Sequence, residues 1–180
     1  MQKMNVKTIT RLALTLALII VIELLEGSFL NMPQGGSISL SSMVFVLSLM
    51  LFSFTESVVL FILWRVVMLF LVPPFYVNLL QLALDYIVSY ASFLVVYPLI
   101  KKEKYQSIIL AILLANVWRY FVHVATGMIY FAEYAEDTPL LQYSLIYNLT
   151  YMGPTVIVQL ILGNILTPFV KRIEKANRNS

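Results

Sequence analysis

Apolar residues run along this chain in long blocks, and the polar positions between them are few and short. A hydrocarbon core of about 30 Å takes roughly 20 apolar residues in a helix. Blocks near that size occur six times, over residues 9–26, 38–54, 56–72, 78–97, 108–131 and 140–170. The pattern predicts six transmembrane helices. Pro73 and Pro74 end the third, because proline carries no amide hydrogen and blocks the preceding turn. Pro98 is expected to stop the fourth in the same way. The sixth block is long enough to tilt, or to break near Gly153–Pro154 or at Pro168.

Composition agrees with the pattern. Of 180 residues, 61% are hydrophobic and 12% charged, and the mean hydropathy is +0.88. This is the composition of an integral membrane protein. The expected architecture is all-α, one six-helix domain over residues 1–180. The first block lacks a small-residue cleavage site after it, so it is read as a retained helix and not as a signal peptide.

Charge orients the bundle. Lys3, Lys7 and Arg11 precede or open the first helix; Lys101, Lys102 and Lys104 separate the fourth from the fifth; Lys171, Arg172, Lys175 and Arg178 follow the sixth. With six spans, all three clusters fall on one side, the cytoplasm by the positive-inside rule. Both termini are then cytoplasmic. The outer side receives residues 27–37, 73–77 and the acidic stretch 132–139, with Glu133, Glu136 and Asp137. The net charge of +3 thus reflects topology and anionic headgroups, not nucleic acid. Only Arg65 and Arg119 remain as basic residues at membrane depth. No partner for Arg65 is legible; Glu23 and Glu26 are read as snorkelling to the outer interface.

Ionisable groups at membrane depth are costly and face a cavity or a partner. In residues 118–131, Arg119, His123 and Gly127 are four apart and share a helix face. Asp85 on the fourth helix, His123 on the fifth and Asn148 on the sixth each lie roughly 10 Å below the outer ends of their helices, at ~1.5 Å per residue. Tyr86, Tyr120, Tyr130, Phe131, Tyr147 and Tyr151 surround that level, with Tyr143 near the mouth. Aspartate attracts a cation, histidine and asparagine pair with ring nitrogens, and aromatic faces attract a flat or positive ring. The pocket suits a small, polar, heteroaromatic ligand; a hydrogen-bonded polar core is the competing interpretation. Gln34, Gly35, Gly36 and Ser37 permit a tight turn and form either a lid over the outer mouth or a plain loop. Ala13 and Ala17 form a small-xxx-small pattern that serves internal packing or an external partner.

Several chemistries lack their parts. With no cysteine and one histidine, there is no thiolate site and no set of metal ligands. No phosphate-binding loop and no H-E-x-x-H occur. A nucleophilic triad would need His123, Asp85 and Ser89 or Ser144, and neither serine sits in G-x-S-x-G. The chain is not read as an enzyme, and no cofactor is expected.

Four ordered segments carry a family resemblance: residues 32–39 (MPQGGSIS), 81–86 (QLALDY), Arg119-Tyr120 through His123 and Gly127 to Phe131, and residues 143–148 (YSLIYN) with 151–154 (YMGP). The chain resembles the thiamine-specific substrate-binding subunits, or S-components, of energy-coupling factor (ECF) vitamin transporters, the ThiT family. The resemblance implies that Asp85 binds the ligand with Tyr86 beside it. His123 and Asn148 would hold the aminopyrimidine ring, Tyr143 would line the pocket, Phe131 would stack, and Arg119 would stand at the edge. Gln34–Ser37 would be the lid, and Ala13 and Ala17 the contact with the transmembrane coupling subunit. It implies high-affinity thiamine capture at the bacterial cytoplasmic membrane, followed by delivery inward with that subunit and two ATPases. Pyridoxine or hydroxymethylpyrimidine in the same scaffold, a proton-coupled secondary transporter, and a ligand-free membrane assembly protein are the alternatives. Some members carry glutamate and tryptophan where this chain has Asp85 and Phe131, and this lid has no tryptophan. Arg65 falls where relatives are expected to be apolar or small. Residues 72–78 do not match the pattern, so Phe75 and Tyr76 receive no binding role.

Overall fold

The computed structural model describes residues 5–30, 32, 35–72 and 74–178. Gln34, expected in the lid, lies outside them. Among the described residues there is no strand, and the helices are α1 (Val6–Phe29), α2 (Ser41–Leu51), α3 (Phe54–Leu71), α4 (Leu79–Ile100), α5 (Tyr105–Tyr130) and α6 (Leu140–Arg178). Five are long and apolar enough to cross a membrane; α2 is the short one.

Local sequence sets most helix starts. The Asn5 side chain accepts from the Thr8 amide at 2.8 Å and caps α1. Ser53 and Glu56 form a reciprocal capping box at the start of α3, satisfying two otherwise unpaired donors. Asn78 accepts from the Gln81 amide at 3.0 Å and starts α4.

The second block departs most from its expected length. Its helix has 11 residues, or about 16 Å, half a bilayer. Ser39 precedes it as non-helical chain, and Phe52 is extended before the Ser53 cap. Apolar on every face, α2 is wrapped by the other helices. Met43, Phe45, Leu49 and Met50 are buried against Trp64, Phe93, Ile108 and Ile112 in the main core. A half-span helix is stable here because protein, not lipid, surrounds its ends.

The expectation that Pro98 stops its helix is corrected, and the sixth block takes its unbroken alternative. Helical winding breaks only at Val96 and resumes over Tyr97–Ile100, with Pro98 in the first turn of that segment, where a missing amide costs least. α6 runs unbroken for 39 residues with Pro154 and Pro168 inside it. Its length of about 58 Å exceeds any hydrocarbon core.

Two glutamates are not interfacial. Glu26 is 4% exposed and accepts from the Ser41 amide and from Ser41 Oγ, clamping the start of α2 to α1. Glu23 is the partner that sequence could not supply for Arg65. Arg65 Nη2 reaches its two oxygens at 3.1 and 3.0 Å, and the Trp64 indole donates to the same carboxylate. The guanidinium lies 3.7 Å from the Trp64 ring centroid and 4.5 Å from that of Tyr90. The cluster ties α1, α3 and α4 together.

Candidate functional site

Asp85 sits in a π-helical turn, Leu84–Val88, within α4. The wider turn bonds the Ser89 amide to the Leu84 carbonyl, five residues back, and the Ser89 hydroxyl to the Asp85 carbonyl. Such bulges recur at functional sites because they re-aim side chains. Here three groups meet the carboxylate. His123 Nδ1 lies 2.8 Å from Oδ1, Thr126 Oγ1 donates to Oδ1 at 2.5 Å, and Gln81 Nε2 donates to Oδ2.

α6 supplies the opposite wall. Asn148 Nδ2 donates to the Ser144 carbonyl at 2.8 Å and reaches the His123 carbonyl at 3.3 Å. Its Oδ1 accepts from Tyr151 OH. α5 and α6 come this close because residue 127 is glycine: a Cβ there would stand 2.3 Å from Ser144 Oγ. The expected convergence of Asp85, His123 and Asn148 from three helices is therefore observed.

The cavity between these walls holds about 680 Å³ of atom-free space, its open mouth included. Tyr86, Arg119, Phe131, Tyr143, Tyr147 and Tyr151 line it with the polar triad. Tyr120 and Tyr130 do not; Tyr120 OH instead donates to the Leu145 carbonyl at 3.0 Å. Tyr143 and Tyr147 stack at 6.0 Å between centroids. Arg119 is deeper than an edge residue, at 1% exposure. Its Nη1 donates to Asn116 Oδ1 at 3.1 Å, and its guanidinium lies 4.1 Å from the Tyr90 centroid.

Gly35, Gly36 and Ser37 cover the chamber. The Gly36 amide donates to Tyr147 OH at 3.2 Å. A Cβ on Gly36 would meet the Tyr151 ring at 2.7 Å, so glycine is required for this approach. Ala13 and Ala17 lie apart, exposed on the outer face of α1, which excludes internal packing as the reason for their spacing.

Sequence reasoning missed Phe75, Gln81, Tyr90, Thr126 and Ser144 in the cavity wall. Phe75 stacks on Phe131 at 5.8 Å, and its carbonyl accepts from Tyr86 OH at 3.1 Å. Gln81 and Thr126 had a signal: each is one helical turn from Asp85 or His123. Phe75 had none.

A helical bundle enclosing a polar, aromatic-lined chamber under a glycine loop is the build of a membrane protein that carries a small solute. The chain belongs to the thiamine transporter protein family (Thia_YuaJ), whose profile matches residues 9–175. It is 28% identical over 189 aligned residues to the thiamine transporter ThiT of Bacillus subtilis (strain 168), covering 98% of both chains. The solved structure of ThiT from Listeria monocytogenes shares its fold, with a TM-score of 0.71 at 18% identity, covering 93% of this chain and 95% of that one. The ThiT-family resemblance and the all-helical membrane fold read from the sequence are thus borne out. The family is one of multi-pass transporters of the bacterial cytoplasmic membrane, not of enzymes.

Proposed function

We propose that this chain is the substrate-binding subunit of an ECF transporter, capturing thiamine with high affinity from outside. Both termini are cytoplasmic, and residues 1–180 act as one domain. The observation that carries the reading is the junction of Asp85, His123 and Asn148, one from each of three helices, in a single aromatic chamber. Asp85 balances the thiazolium charge. His123 and Asn148 hold the aminopyrimidine. Tyr86, Phe131 and Tyr143 contact the rings, and Arg119 fixes the chamber's floor. The loop around Gln34, Gly35, Gly36 and Ser37 is the lid. A coupling membrane subunit docks on Ala13 and Ala17, and two ATPases then drive delivery inward.

Titration of the detergent-purified protein with thiamine, followed by intrinsic fluorescence, tests the ligand. Saturation at or below micromolar thiamine is expected, and its absence rejects the reading. Competition with pyridoxine and hydroxymethylpyrimidine separates thiamine from those smaller rings. Ala13→Trp should abolish uptake in cells while leaving binding intact; surviving uptake removes the docking assignment. The direct Asp85–His123 contact also fits a proton-coupled transporter. Liposomes holding only this chain decide between them, since flux without ATPases would favour proton coupling.

A further inference from the structure

Four residues of α6 spaced one turn apart, Tyr147, Tyr151, Thr155 and Gln159, face the loop that leads into α2. The upper two belong to the chamber already described. The lower two do not line it, and both are fully buried. Thr155 Oγ1 accepts from the Ser39 amide at 3.1 Å. Gln159 Nε2 donates to Ser42 Oγ at 2.7 Å and reaches the Ser39 carbonyl at 3.4 Å. Gln159 Oε1 accepts from Asn116 Nδ2 at 2.7 Å, and Asn116 Oδ1 in turn accepts from Arg119 at 3.1 Å.

The base of the loop is therefore clasped from two sides. Glu26 on α1 holds Ser41, and Thr155 and Gln159 on α6 hold Ser39 and Ser42. Gly35–Ser37 lie immediately before that clasp and over the chamber. Lifting them pulls on Ser39, whose amide loses a buried partner that water does not replace at once. The chain from Gln159 through Asn116 ends on Arg119, a wall of the same chamber.

We propose that Thr155 and Gln159 are positioning residues for the lid, fixing its hinge against α6 and so setting how slowly the ligand escapes. This rests on the thiamine reading above. The clasp acts on the opening of the loop, so its loss speeds both capture and release. Equilibrium affinity then moves less than either rate.

The test uses the full chain in detergent, with Thr155→Val and Gln159→Met as near-isosteric variants. Thr167→Val serves as a control: its hydroxyl is buried lower on α6 and makes no hydrogen bond. Stopped-flow fluorescence gives thiamine association and release rates. Release should quicken roughly fivefold in Thr155→Val, the worth of the one buried hydrogen bond from Ser39, at least as much in Gln159→Met, which loses three, and not in the control. Hydrogen exchange without ligand should rise at residues 35–40 while α5 and α6 stay protected. Unchanged release in both variants overturns the proposal, as does exchange rising equally along α5 and α6. If the wild type binds no thiamine, the thiamine reading fails, and ligand-free exchange at residues 35–40 still decides on the clasp.

Discussion

Two carboxylates at the heart of this bundle, the half-buried Glu23 and the buried Asp85, are treated in opposite ways. Glu23 is saturated by fixed partners: both oxygens meet Arg65 Nη2, the Trp64 indole donates as well, and two aromatic faces cover the guanidinium. Charge is balanced within the cluster. Asp85 is held by a hydroxyl, an amide and a histidine. The arginine that shares its chamber, Arg119, bonds to the Asn116 amide and not to a carboxylate. Asp85 thus keeps its pull on an incoming cation, whereas Glu23 has spent its own on Arg65. The first cluster binds helices; the second is arranged to bind a solute. What separates the two functionally is the identity of the partners.

The largest effect is expected where the closed cluster is broken. Arg65→Met leaves Glu23, 20% exposed, without its cation. Removing one member of a fully buried pair costs roughly 3–5 kcal/mol, and the partial exposure of Glu23 brings the cost toward the lower end. Stability measured by SDS titration in mixed micelles should fall by that order. The double variant Glu23→Gln/Arg65→Met should recover most of it, because no unpaired charge remains. Thiamine affinity of the folded fraction should change little. If Arg65→Met keeps full stability and loses thiamine, the division of labour between the clusters is wrong.

Next comes the open cluster. Asp85→Ala removes a charged partner of the ligand, worth about 3 kcal/mol, a loss on the order of 100-fold in affinity. Stability should move far less than in Arg65→Met, because Thr126 Oγ1 also reaches the Val122 and His123 carbonyls. Asp85→Asn keeps hydrogen bonding and removes the charge, so its affinity should fall between those of wild type and Asp85→Ala. Equal affinity in Asp85→Asn and wild type would show that charge plays no part in capture.

This contrast was half legible in the sequence. Depth counting brought Asp85, His123 and Asn148 to one level, because helical rise is fixed and the outer ends of the helices were marked by loops. The Arg65–Glu23 pair was not legible: periodicity states which face a residue occupies, but not which helix lies opposite. Tyr90 was hidden by the π turn, whose wider winding changes the face of every residue beyond it relative to a 3.6-residue count. Phe75 lies in an irregular stretch with no period. The shortness of α2 was masked because a fully enclosed helix and a spanning one look alike in hydropathy, and residues 38–40 are non-helical but fit the apolar run.

The finest comparison removes one neutral donor from each carboxylate. Thr126→Val deletes the hydroxyl on Asp85 Oδ1 and adds no volume; Trp64→Phe deletes the indole N–H on Glu23 and leaves a small void. A single hydrogen bond to a charged group contributes about 1.5 kcal/mol or more. In Thr126→Val the loss should appear in thiamine affinity, roughly tenfold, because Asp85 and His123 lose the group that fixes their shared orientation. In Trp64→Phe it should appear in SDS stability, with affinity held. Parallel titrations and unfolding curves on the two variants provide the check. Both variants losing stability alone would mean that Thr126 is ordinary packing and that His123 and Gln81 suffice to aim Asp85.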